Sequence, residues 1–173
     1  MSTKQKLFSH FQSKNMKLPN RIVMAPMTRN FSPNNVPSGD VISYYRRRAQ
    51  GGVGLIITEG TCVNHIASNC YPNVPYIHGE ESITGWSNVV DAVHDVGGQI
   101  AAQLWHVGAV RKMGMPPNPE VNGYGPSGMN VPGKQNREIM TLQDIDLVIN
   151  AFVEAAITAK SIGFDAILSL IHI

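Results

Sequence analysis

The chain is poor in charge and in cysteine, and each shortage removes a class of function. Charged residues make up 15% of its 173 positions, and the net charge is +2. That balance supplies no basic surface for nucleic acid or for an anionic membrane. Cys62 and Cys70 are the only cysteines, and their spacing is neither a CxxC nor a metal knuckle. Both read as ordinary thiols of a reducing, cytoplasmic setting. His65, His78, His94 and Cys70 lack metal-ligand spacing, so no metal is expected. No apolar run reaches the roughly 20 residues of a membrane span. The opening Met1-Ser-Thr-Lys-Gln-Lys has no apolar core behind it, which argues against a secretory leader. Repeats of solenoid type, a P-loop, a GxSxG elbow and a GxGxxG turn are missing too.

What is present is an alternation of strands and helices. Arg21 to Met27 reads as a first strand, ended by Pro26, which has no ladder N–H to give. Asp40 to Gln50 reads as a helix with Asp40 as N-cap and Tyr44-Tyr45 on its inner face. Val53 to Thr58 is a second strand, apolar on both faces. Ser82 to Val96 carries Ile83, Trp86, Val89, Val90, Val93 and Val96 at helical spacing. Ile100 to Trp105 is a third strand. Thr141 to Ile162 is the strongest helix, with Thr141 and Asp144 as a capping box and Gly163 as the stop. Its expected buried stripe is Ile145, Val148, Ile149, Phe152, Ala155, Ala156, Ala159 and Ile162. A fourth strand begins at Ala166.

Continuously apolar strands separated by helices mean a parallel sheet covered by helices. An open doubly wound sheet and a (β/α)8 barrel both satisfy that pattern. The absence of a Gly-rich first turn favours the barrel. A whole barrel takes about 250 residues. The expected fold is therefore α/β, about four strands and roughly half of a (β/α)8 TIM barrel, either a fragment or a half that pairs with another. Its last strand would be an open edge, through which self-association is possible.

Ligands of such folds sit past the C-terminal ends of the strands. There the chain places Pro26, Met27 and Thr28, then Glu59, Gly60 and Thr61, then Gln103, Leu104, Trp105 and His106. Strand alternation puts Gln103 and Trp105 on one face and Leu104 on the other. An amide offers donors and an acceptor together, which suits a flat heterocycle such as a flavin or a purine. Gly60 would admit that heterocycle close to the backbone. Each residue also has a plainer reading. Gln103 could satisfy a loop backbone, Trp105 could be core, and Thr28 could cap a turn. Glu59 could pair with a nearby arginine as scaffold, and His106 could be a bonded structural histidine. The segment Val107 to Arg137, rich in Pro, Gly and Asn, reads as an excursion over the barrel mouth. A Schiff-base aldolase is disfavoured, because Lys112, Lys134 and Lys160 fall in a loop or on a helix.

These stretches together resemble the old yellow enzyme family, the FMN-dependent NAD(P)H:flavin oxidoreductases. The likeness runs from about Leu7 to about Ala166. It rests on Pro19-Asn20-Arg21 through Arg29, Tyr44-Tyr45-Arg46-Arg47-Arg48-Ala49, Ile56-Ile57-Thr58-Glu59-Gly60-Thr61, Gln103-Leu104-Trp105-His106-Val107-Gly108, and Ala159 with Gly163-Phe164-Asp165-Ala166. The resemblance implies one incomplete FMN-binding barrel domain over residues 1–173. It implies a flavin reduced by NAD(P)H that passes hydride from its N5 to an activated alkene such as an enone. Pro26, Met27, Thr28, Gly60 and Gln103 match flavin-binding positions, with Thr28 near flavin O4 and Gln103 on the pyrimidine edge. Tyr71 and Trp105 match walls of the substrate pocket.

Residues 168–173 depart from the family pattern. Leu170 stands where the family has its oxygen-binding histidine, and His172 is out of register with it. The proton-donating tyrosine and the arginine beside the reduced flavin have no counterpart, so no catalytic residue is assigned. The resemblance thus leaves two readings. One is an ene reductase represented by half its site, the other a non-catalytic fragment that acts, if at all, with another chain.

Overall fold

The computed structural model describes residues 3–171. Four strands form one parallel sheet: β1 (Val23–Met24), β2 (Leu55–Cys62), β3 (Ile100–His106) and β4 (Ala166–Ile171). Their spatial order is β4-β3-β2-β1, so sequential strands are neighbours. Helices α1 (Gly39–Gln50), α2 (Glu80–His94) and α3 (Leu142–Ser161) make the three crossovers. Parallel pairing requires such long connections, and a helix supplies the length and covers the sheet. His172 lies outside the described residues.

The order of these elements agrees with the sequence expectation, and several boundaries move. A short helix, Thr3–Leu7, and a ribbon pairing Phe11–Gln12 with Lys17–Leu18 precede β1. Both are too short to show a period in sequence. The ladder of β1 holds only Val23 and Met24, against Leu55 and Ile56. Asn20 is the reason that it starts late. Its Oδ1 accepts from Ile22 N–H at 3.0 Å and its Nδ2 donates to Gly52 O at 2.8 Å. This Asx turn consumes the Ile22 N–H, and the Arg21 N–H before it donates to Leu7 O at 2.9 Å. A Cβ on Gly54 would stand 2.6 Å from that Oδ1, so the close crossing needs glycine.

Ser38, not Asp40, occupies the N-cap position of α1. Asp40 lies in the first turn, where a carboxylate still favours the helix dipole. The capping box of α3 is present as expected. Asp144 N–H donates to Thr141 Oγ1 at 3.2 Å, and Thr141 N–H donates to Asp144 Oδ2 at 2.8 Å. Gly163 ends α3 in the left-handed region, at φ +94°.

The buried line of α3 is Val148, Ala151, Ala155 and Ala159. This corrects the expected stripe, because Ile149 is 54% exposed. Ile149, Val153 and Ile157 form an outward apolar row at four-residue spacing. The sheet ends at β4, so no further strand or helix covers that flank among the described residues.

The core lies between the sheet and the helices, with Tyr45, Trp86, Val90, Ile100, Leu104 and Phe164 at its centre. Trp86 donates its indole N–H to Tyr76 O at 2.9 Å, and the Phe164 ring sits 5.7 Å away from it. Asp165 accepts from Ile100 N–H at 2.8 Å and faces His94 Nε2 at 3.0 Å, which ties the start of β4 to β3. The Gly-Phe-Asp motif is thus a structural joint.

The excursion from 107 to 137 is ordered around one arginine. Arg111 is fully buried. Its guanidinium donates to the carbonyl oxygens of Asn69, Met115, Pro116, Asn118 and Val121. Small ribbons pair Tyr124–Gly125 with Glu138–Ile139 and Met129–Val131 with Lys134–Gln135.

Candidate functional site

The strand ends converge because β2 and β3 are paired with a bulge. Ile57 faces Ala101, yet Gly60 faces Gln103, so three steps on β2 match two on β3. The extra residue resets the alternation. Thr58 fills the broken ladder, accepting from Gln103 N–H at 3.0 Å and donating to Glu59 O at 2.8 Å.

Glu59, at 0% exposure, turns its carboxylate to Arg29. Arg29 Nε donates to Oε1 at 3.1 Å, its Nη2 donates to the same oxygen, and its backbone N–H reaches Oε2 at 3.3 Å. The guanidinium stacks 3.9 Å from the Tyr44 ring centroid and 4.9 Å from that of Tyr45. Tyr45 in turn accepts from Glu59 N–H at 2.9 Å. Burial pushes the Tyr45 phenol well above its usual pKa, with the Glu59 charge adding to the effect. The scaffold reading of Glu59 is the one observed. The pair clamps the chain beyond β1 to Glu59 of β2, next to Gly60.

Gly60 has a different physical reason from the one read in sequence. A Cβ there would lie 1.7 Å from Cε3 of Trp105, so the indole fills the space a side chain would take. Gly60→Ala is expected to push the ring aside and cost about 3 kcal/mol. A urea titration should show a lower midpoint at unchanged slope. A midpoint equal to wild type would mean that the indole has room to move.

On the face shared by Gln103 and Trp105 stand Leu168 and Leu170, paired with them in register. Tyr71, 37% exposed, lies over Trp105 with ring centroids 5.6 Å apart. These two aromatic rings form one wall. Leu104 and His106 line the opposite face with Ile167 and Ser169, under α3. Strand alternation had assigned these faces correctly.

Two polar groups in this region are uncommitted. The Gln103 side-chain amide makes no hydrogen bond to the described residues, although the residue is 93% buried (7% exposed). The Thr28 hydroxyl also has no partner among them and is exposed. Pro26 is half-buried, and Met27 is 49% exposed. An amide without a protein partner beside an aromatic wall offers donors and an acceptor to a heterocyclic ligand's edge.

Behind the wall, His106 is fully buried. Its Nδ1 accepts from Gly108 N–H at 3.0 Å, which leaves the proton on Nε2, donated to His65 Nδ1 at 2.9 Å. Burial, with the nearby His65, lowers its pKa to about 3. It is a bonded structural histidine. Burial also raises both thiols, Cys62 strongly, so neither is poised as a thiolate.

Four parallel strands in sequential order with helical crossovers have the architecture of half a (β/α)8 barrel. The sequence model of the NADH:flavin oxidoreductase / NADH oxidase family matches residues 6–171, and the chain belongs to that family, the old yellow enzymes. Putative 12-oxophytodienoate reductase-like protein 1 of Arabidopsis thaliana is 40% identical over 89% of this chain and 48% of its own length. 12-Oxophytodienoate reductase 7 of Oryza sativa subsp. japonica is 35% identical over 93% of this chain and 43% of its own. Morphinone reductase superposes with a TM-score of 0.86 at 32% identity, over 94% of this chain and 47% of that one. The old yellow enzyme homologue from Zymomonas mobilis gives 0.80 at 30% identity, over 95% and 48%. The chain spans about half the length of the relatives it matches, and its fold is the N-terminal half of their barrel.

Proposed function

We propose that this chain supplies one side of an FMN site in an NAD(P)H-dependent ene reductase. The observation that carries the reading is the Gln103 amide, which has no partner among the described residues, on the same face of β3 as the Trp105 and Tyr71 rings. Gln103 would bind the polar edge of the isoalloxazine, Thr28 would donate to a ring carbonyl, and Pro26, Met27 and Gly60 would lie along the ring. Tyr71 and Trp105 would wall the substrate, a small activated alkene. FMN, when bound, would supply the hydride chemistry between a nicotinamide and the alkene. The chain's own residues bind and orient.

The donor set is one-sided. On this reading the chain would offer the flavin one amide, one hydroxyl and some backbone, and Arg29 is held by Glu59. Among the described residues we assign no cation to the reduced ring's charge and no helix N-terminus to the phosphate. Electrostatic groups of that kind carry much of binding and rate, and losing one costs on the order of a hundredfold or more. The chain alone is therefore expected to bind FMN at least about a hundredfold more weakly than a full-length relative. It is also expected not to oxidise NADPH in the presence of an enone. A purified sample that stays yellow through gel filtration and turns over would overturn this expectation.

The second reading, a non-catalytic fragment acting through association, draws on the open edges at β1 and β4 and on the exposed Ile149, Val153 and Ile157. Unpaired edges and contiguous apolar rows favour self-association. Sedimentation that rises with concentration would support it.

A further inference from the structure

The loops after β2 and β3 enclose a cleft of about 320 Å³ that the flavin site does not use. Its lining is mostly polar, with His65, Asn69, Tyr76, His78 and Asn118 among its walls.

Asn69 is 2% exposed. Its Oδ1 accepts from Tyr71 N–H at 3.0 Å, which fixes the amide's orientation and leaves both hydrogens on Nδ2. That Nδ2 is buried and makes no hydrogen bond. Burial raises the pKa of the nearby Tyr76 phenol, and Asn69 acts the other way by favouring its ionised form. His65 Nδ1 already accepts from His106 and from Ala67 N–H at 3.3 Å, so His65 carries its proton on Nε2 as a second donor. Arg111 places a buried positive charge directly behind the cleft, bonded to the carbonyls of Asn69 and Asn118.

No carboxylate pairs with that charge among the described residues, whose ion pairs are Arg29–Glu59 and His94–Asp165. The acidic groups nearest these residues are otherwise placed. Asp144, near His65, is committed to the Thr141 cap, and Glu120, near Arg111, is exposed. A buried donor without an acceptor is costly, and the Arg111 charge, bonded to carbonyls and to no carboxylate, favours an anion nearby. An anionic ligand answers both.

We infer that this cleft binds a small oxyanion, a carboxylate or an inorganic phosphate. The volume, at the low end for small-molecule sites, suits such a ligand. The inference is independent of the flavin reading, since no residue lining the cleft is assigned to that site.

The test is a titration of the full chain with formate and, separately, inorganic phosphate, at ionic strength held with potassium chloride. The readout is the Asn69 side-chain amide signals by NMR. A saturable shift is expected with at least one anion. Formate alone would assign a carboxylate ligand, and phosphate alone a tetrahedral one. Asn69→Asp keeps the acceptor for Tyr71 N–H but replaces the donors with a negative charge. It should weaken binding at least about tenfold, followed through the His65 and His78 ring signals. Should that variant not fold, the wild-type melting temperature decides, since a ligand of the native state raises it. Shifts that stay linear, equal binding in Asn69→Asp, or melting temperatures no higher than in chloride would each overturn the inference and leave a water-filled cleft.

Discussion

Arg29→Met is expected to destabilise the chain by about 4 kcal/mol, because it strands the buried carboxylate of Glu59. Glu59 has no exposed surface, and both side-chain donors to its Oε1 come from Arg29. Methionine keeps most of the volume over Tyr44 and Tyr45 but removes the charge and its stacking on those rings. Only the Arg29 backbone N–H would still reach Oε2. Adding Glu59→Gln should recover a large part of the loss, since the interior would then hold a neutral amide instead of an unpaired anion. The comparison is a double-mutant cycle by chemical denaturation. Additive losses in the two single variants would show that the pair is not coupled. The same clamp holds Arg29, next to Thr28, against β2, so under the proposed function flavin binding should weaken along with stability.

Acid is expected to unfold the chain early, through His106. An unfolded histidine takes its proton near pH 6.5, whereas native His106 resists protonation until about 3. Between those values the unfolded state binds more protons, so stability falls as pH drops through the window. One such proton is worth about 1.4 kcal/mol per pH unit. The cause is geometric as well as dielectric, since a proton on Nδ1 would break the bond from Gly108 N–H. His65 and His78 are lowered by burial too and act in the same direction. Asp144 is lowered by its hydrogen bonds to Thr141, so its contribution disappears only at still lower pH. Melting temperatures from pH 7 to 4.5 should decline steadily. His106→Asn, which can keep an acceptor for Gly108 N–H, should flatten the decline by about one proton. Equal slopes in the two proteins would place the acid sensitivity elsewhere.

Much of this architecture is local and was therefore legible in sequence. The three crossover helices, the Thr141–Asp144 capping box and the Gly163 stop depend on residues within a few positions of one another. So does the assignment of Gln103 and Trp105 to one face, which follows from alternation along a single strand. The family motifs carry the same kind of information, and a chain matched from residue 6 to 171 shows it.

The missed features are contacts between distant positions. Nothing near Gly60 announces that its missing side chain makes room for Trp105, 45 positions later. The bulge on β2 depends on how it registers with β3, and it decides which of Glu59 and Gly60 stands beside Gln103. Arg111 reads as one more loop cation until five carbonyls from two loops close around it. Ile149 carries the right period for burial, but period cannot say whether a neighbouring helix is there to cover it.

The sequence by itself determined the order of strands and helices, their caps and stops, and the family. Hydrogen bonding and side-chain periodicity act over a few residues, and those few residues are adjacent in the chain. The tertiary structure alone decided the Arg29–Glu59 clamp, the indole over Gly60 and the idle amide of Gln103. Each depends on strand register and packing across 30 to 45 positions, which no local pattern encodes.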